Sequence, residues 1–97
     1  MKYKAVYIES ARKDVAEIKS YLEQFYPSAP STFLKTLKTR VESLCDNPLL
    51  YAVYEGDTAY RKMAVLDYLV SYKVLEVDVE IEIHRVLYSR RDIKAHL

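Results

Sequence analysis
His84, Tyr88, Arg90 and Arg91 fall within one short stretch, HRVLYSRRDI, at 84–93. An imidazole titrates near neutrality and can act as a general acid or base. A phenol can stack on a base or donate a proton, and guanidinium groups hold phosphates or carboxylates bidentately. Each residue also has a quieter role open to it. A strand histidine can be a hydrogen-bonded surface residue, Tyr88 a packed margin tyrosine, and Arg90 with Arg91 a solvated tail beside Asp92. Arg61, Lys62 and Lys73 are further cations in the last third of the chain. Glu76, Asp78, Glu80 and Glu82 surround a turn without a convergent histidine, so they read as a solvated acidic edge rather than a metal site. No zinc, phosphate-loop or nucleophile–base motif is present, and no cofactor is expected.

The charge pattern localises any electrostatic footprint. The formal net charge is +1, which gives no global pull on nucleic acid. Residues 1–58 are balanced, whereas 84–97 hold Arg85, Arg90, Arg91 and Lys94 against Asp92 alone. With 51% hydrophobic and 30% charged residues among 97, the expectation is one globular domain over 1–97, too small for a deep pocket. No apolar run is long enough to cross a bilayer and no secretory leader is visible, so a cytoplasmic location is expected. Cys45 is the single cysteine and sits in an apolar helical pattern, which makes it a small core residue. With one glycine, Gly56, the hairpins must close on other residue types.

The elements that position the basic stretch follow from periodicity. Residues 3–8 read as a short strand covered on both sides. Ser10 can cap a helix whose stripe is Ala11, Val15, Ile18, Leu22 and Phe25, ended by Pro27. A second helix starts near 28–30, carries Leu34, Leu37, Val41 and Leu44, and stops at Asp46-Asn47-Pro48. A loop over 47–58 leads to strands near 59–66, 67–76 and 79–89, the last two joined around Val77-Asp78. The order β-α-α-β-β-β predicts an α+β fold: an antiparallel helical hairpin on one face of a mostly antiparallel four-stranded sheet.

Strict alternation then assigns the sheet faces. Tyr68, Val70, Tyr72 and Val74 should meet the helices, as should Val79, Ile81, Ile83, Arg85 and Leu87. The open face should carry Lys73, His84, Val86, Tyr88 and Arg90, with Arg91 beside it. Arg85 on the core side reads as half-buried and paired with a helix carboxylate.

Four segments carry a resemblance: Asn47-Pro48 after the second helix, YRKM at 60–63, DYLVSYKV at 67–74 and HRVLYSRRDI at 84–93. Over nearly its whole length the chain resembles the RelE/ParE superfamily of bacterial type II toxins, and it is closer to the ParE-like branch. The resemblance implies a small toxin of an addiction (plasmid-stabilisation) pair, neutralised by an antitoxin whose tail folds on it. One branch of that superfamily cleaves messenger RNA on the ribosome, and the other poisons DNA gyrase. The nuclease branch carries an arginine in the strand matching DYLVSY, where this chain has Leu69. It also has a lysine-rich strand of which only Arg61 and Lys62 remain.

The resemblance therefore favours a growth inhibitor that binds a macromolecule such as gyrase. Arg61, Lys62, Lys73, Tyr88, Arg90 and Arg91 are its expected target-binding residues. The alternative it leaves is a metal-independent endoribonuclease acting on ribosome-bound mRNA through His84, Tyr88, Arg90 and Arg91. A decayed member that only binds its antitoxin is the third possibility. No membrane partner is implied.

Overall fold
Apolar residues three and four apart build two helices, and the chain reverses between them. A computed structural model describes residues 2–57 and 59–90. Strand β1 (Lys4–Tyr7) runs directly into helix α1 (Glu9–Glu23), and Pro30 sits in the first turn of α2 (Ala29–Asp46). Strands β2 (Arg61–Val65), β3 (Tyr68–Leu75) and β4 (Glu80–Tyr88) complete the predicted β-α-α-β-β-β order. The sheet order is β1-β4-β3-β2, with β1 parallel to β4 and the other neighbours antiparallel. Both helices pack on one face, so the predicted fold class holds.

Local details differ from the sequence reading, each for a physical reason. Ser10 is not a cap. Ile8 still pairs with the sheet through its N–H to the Ile83 carbonyl at 3.1 Å, while its own carbonyl accepts from Arg12 N–H at 3.0 Å. Sheet pairing thus hands over to helix within one residue. Helix α1 stops before Phe25, which is 56% exposed instead of completing the stripe. Strand β1 lies at the sheet edge with Lys4 exposed, so it is not covered on both sides.

Helix α2 contributes Phe33, Leu37, Val41, Leu44 and Cys45 to the core, against Met63, Val65, Val70, Tyr72, Ile81, Ile83 and Val86 from the sheet. Burying each large side chain contributes roughly 1.5–3 kcal/mol. Phe33 meets Tyr68 edge-on at 5.1 Å. Cys45 is buried, and that burial is the main influence raising its thiol pKa, as expected of an unreactive core cysteine.

Tyr72 is fully buried at the centre of this core, with its hydroxyl 3.5 Å from the Pro48 carbonyl. Burial pushes its phenol up to about 12, opposed by Arg61 and aided by Tyr51. An unfolded tyrosine ionises near pH 10, so the folded state holds this proton more tightly. The resulting stability is complete below pH 10 and drains as pH rises toward 12, by roughly 2–3 kcal/mol. Tyr72→Phe is expected to remove most of that alkaline loss while changing neutral-pH stability little. Urea midpoints for both proteins at neutral and strongly alkaline pH check this.

The hairpins close without glycine. Leu66 and Val79 adopt positive φ, 55° and 54°, whereas Gly56 does not. Leu66-Asp67 is a two-residue connection between β2 and β3, with positive φ at its first position only, the type II′ pattern that favours glycine there. A leucine in that backbone region costs about 1–2 kcal/mol. Since Leu66 is exposed, Leu66→Gly is expected to stabilise the protein by about 1 kcal/mol, read as a raised urea midpoint.

Candidate functional site
A single irregularity decides what faces outward. Ile83 pairs with Tyr72, but Arg85 pairs with Ser71, so His84 is an extra residue bulged out of β4. Beyond the bulge the alternation inverts. Val86 pairs with Val70 and lies in the core, and Tyr88 pairs with Tyr68 on the helix side. The expectation that Val86 and Tyr88 share the open face with His84 is therefore corrected. Leu87 is displaced the other way, opposite Leu69.

The open face holds Lys62 opposite Ser71 and Lys73 opposite Glu82. The bulge aims His84 at Glu82 and Tyr60. His84 Nε2 lies 3.0 Å from Glu82 Oε1, and Nδ1 lies 3.4 Å from the Tyr60 hydroxyl. The Tyr60 and His84 rings meet edge-on at 5.1 Å. Lys73 Nζ sits 4.8 Å from the centre of the Tyr60 ring, and Lys62 Nζ sits 5.3 Å from that of Tyr54. Two ammonium groups over aromatic faces and a carboxylate-linked imidazole thus share one surface. The Ser71 hydroxyl beneath them is buried without a partner among the described residues.

The loop before β2 supplies these tyrosines. Tyr54 N–H donates to the Tyr60 carbonyl at 2.7 Å, and Val53 bridges Arg61, so the loop folds back along the free edge of β2. A Cβ on Gly56 would stand 2.6 Å from Tyr54 Cε2, so glycine is needed for that ring to lie where Lys62 meets it. Arg61 does not join Lys62 and Lys73. It pairs with Tyr72 on the helix side and donates from Nη1 to the Tyr51 carbonyl at 2.6 Å, pinning this loop.

Arg85 is held as the sequence suggested. Its Nε and Nη2 donate to Asp14 Oδ2 and Oδ1 at 2.7 and 2.9 Å, and Val86 N–H donates to Oδ2 at 2.9 Å. The hydrogen bond to Asp14 is the main influence raising the Arg85 pKa. Asp14 stands where a neighbouring strand would pair, because β1 ends opposite Ile83. Next to it Tyr68 and Tyr88 meet edge-on at 6.0 Å, and Tyr88 is 43% exposed. Arg90 is exposed in the turn after β4, and Arg91 lies outside the described residues.

The candidate residues therefore divide. His84, Lys62 and Lys73 are together on the open face, Tyr88 is on the helix side, and Arg61 is a structural clamp. Glu82 and Tyr60 are the additions. A glutamate two residues before a strand histidine points to the same face, and that spacing is visible in the sequence. Tyr60 gave no signal, because its approach depends on the loop.

Comparison with known proteins places this arrangement. The model of the ParE toxin of the type II toxin–antitoxin system parDE matches residues 6–93. The chain belongs to the ParE toxin family. Solved structures share its fold. One is a mutant Escherichia coli RelE toxin in the free state, at 18% identity and TM-score 0.74, covering 99% of this chain and 93% of that one. The chromosomal ParDE system of Pseudomonas aeruginosa gives 16% identity and TM-score 0.73, covering 90% and 96%. The RelBE2 toxin–antitoxin complex of Mycobacterium tuberculosis gives 14% and 0.67, covering 91% and 99%. No curated protein matches the sequence. As a ParE-family chain, the protein is the toxin of a type II pair, and a cognate antitoxin is its partner. Among the described residues, no helix is long and apolar enough to cross a membrane.

Proposed function
We propose that this ParE-family toxin arrests growth in the cytoplasm by binding DNA gyrase, with residues 1–97 acting as one domain. The carrying observation is the separation of His84 and Tyr88 onto opposite faces of the sheet, which splits the expected nuclease set. Leu69 supports the same reading, since an aliphatic side chain cannot donate to a phosphate in a cleavage transition state. The proposed binding residues are Lys62 and Lys73 on the open face, Tyr88 and the exposed Arg90 at the far end of β4, and, on the sequence alone, Arg91. Arg61 contributes by fixing the loop beside them. Inducing the toxin without its antitoxin tests this: DNA synthesis is expected to stop before protein synthesis, and the opposite order contradicts it.

One observation favours a second reading, ribosome-dependent cleavage of mRNA. Glu82 orients His84, whose other nitrogen faces Tyr60, and Lys73 stands next to them. Such a chain can move a proton while an ammonium group offsets phosphate charge. That reading requires cut messages in a translating extract, lost on His84→Ala or Arg91→Ala.

A further inference from the structure
Arg40, Arg61 and Arg85 are all half-buried. Arg85 has the Asp14 carboxylate, whereas Arg40 and Arg61 make no ion pair among the described residues. One neutral residue, Tyr51, fixes both of them. Arg40 Nη2 donates to its hydroxyl at 2.8 Å, and Arg61 Nη1 donates to its carbonyl at 2.6 Å. The Arg40 guanidinium also lies 5.9 Å from the centre of the Tyr51 ring. Each guanidinium thus spends one donor of its fork on an uncharged oxygen and keeps its charge available to a carboxylate from outside. Helical periodicity turns the next carboxylates along α2, Glu42 and Asp46, to the other side of the helix. In the loop, Asp57 accepts from the Ala59 N–H beyond a tight turn.

The backbone beside these cations is an open edge. Val53 and Arg61 form an antiparallel bridge. Its flanking bonds run from Tyr54 N–H to the Tyr60 carbonyl at 2.7 Å and from Lys62 N–H to the Ala52 carbonyl at 3.4 Å. In a pair flanked this way the bridged residues turn their own N–H and C=O groups outward. Val53 therefore presents one donor and one acceptor at the rim of the sheet, and neither has a partner among the described residues. Cations stand on both sides of that rim. Lys62 lies on the open face over the Tyr54 ring, and Arg61 lies on the helix side with Arg40. Leu50 and Val53 are exposed next to them.

We propose that Val53 and its flanking cations form a docking edge for an extended acidic segment of the protein target, which adds as a further strand and sets its carboxylates against Arg40, Arg61 and Lys62. This rests on the target-binding reading and adds how the target is held. An unpaired backbone edge selects a peptide, and main-chain pairing supplies affinity while alternate side chains supply selectivity. Residues on one side of an extended segment recur about every 7 Å. Acids at alternate positions therefore line one face, and an acid between them reaches the other. Arg40 and Arg61, bonded to opposite ends of Tyr51, take two such acids rather than sharing one. The edge is at the β2 end of the sheet, with β3 and β4 between it and β1.

The test uses the purified chain and two short capped peptides, one alternating valine with glutamate and one with glutamine in place of glutamate. In NMR titrations the glutamate peptide is expected to shift the Val53 amide and the Nε–H signals of Arg40 and Arg61. It should bind about tenfold tighter than the glutamine peptide, an advantage that fades as salt rises. Arg40→Gln, which keeps a donor for the Tyr51 hydroxyl, is expected to weaken the glutamate peptide about tenfold and spare the other. Hydrogen exchange reads the edge without any variant, because the Val53 amide of the parent should become protected when the glutamate peptide binds. Equal binding of the two peptides, shifts confined to Tyr60 and His84, indifference to Arg40→Gln, or an unprotected Val53 amide overturns the proposal. Displacement of the peptide by a single-stranded oligonucleotide at lower concentration also overturns it, in favour of a nucleic-acid ligand. Gyrase separates the proposal from the reading beneath it. A parent chain without effect on supercoiling removes gyrase as the target and leaves the edge to the peptide results. Inhibition that is as strong with folded Arg40→Gln as with the parent removes the edge assignment alone.

Discussion

Asp14→Ala is expected to cost about 3–5 kcal/mol, enough to unfold much of a small domain. Asp14 is 7% exposed and takes three hydrogen bonds, two from Arg85 and one from the Val86 backbone. Removing the carboxylate takes away the bidentate acceptor of a partly buried guanidinium and uncaps a buried N–H at the edge of β4. Each lost hydrogen bond leaves a desolvated donor with one acceptor fewer, which costs more than the net worth of the original bond. Urea unfolding measures the loss. A companion variant separates pairing from packing. Replacing both partners, Asp14→Leu with Arg85→Met, is expected to recover most of the stability, because no charge is then left stranded. A double variant as unstable as Asp14→Ala would show that the carboxylate's hold on the Val86 N–H, rather than the ion pair, is what matters.

The bulge that bounds this ion pair is also where the sequence stops being legible. Periodicity placed every helix and strand, because amphipathic stripes such as Leu37, Val41 and Leu44 are written at fixed spacing. It placed Tyr68, Val70, Tyr72 and Val74 on the core face, since β3 alternates along its length. It could not place Val86 or Tyr88. One inserted residue in β4 reverses the faces, and alternating types read equally well in either register. The Arg85 partner was foreseen in kind, because a cation on a core face needs a carboxylate, but the choice of Asp14 depends on how α1 crosses β4. Tyr60 was beyond reach for the same reason, as its contact with His84 spans 24 residues and is set by the loop. Leu66 and Val79 at positive φ agree with the scarcity of glycine, while composition did not say which residues would take the strain.

The second large effect concerns the open face. The double charge reversal Lys62→Glu with Lys73→Glu is expected to weaken target binding about 100-fold, and the remaining affinity should lose most of its salt dependence. Both ammonium groups sit at the sheet surface over tyrosine rings, outside the helix-facing core. Their removal therefore leaves stability nearly unchanged, within about 0.5–1 kcal/mol for each lost cation–π contact. Loss of toxicity with an intact unfolding midpoint separates this from the Asp14 effect, where stability itself fails. Binding that falls while the urea midpoint holds assigns the open face to the target. Unchanged binding moves the target to Tyr88 and Arg90 at the other end of β4.

Gyrase supercoiling with the purified toxin tests the central claim most directly. The parent chain is expected to block supercoiling and trap cleaved DNA, and the Lys62→Glu, Lys73→Glu variant to do neither at the same concentration. Undisturbed supercoiling by a folded, growth-arresting parent chain would contradict the account.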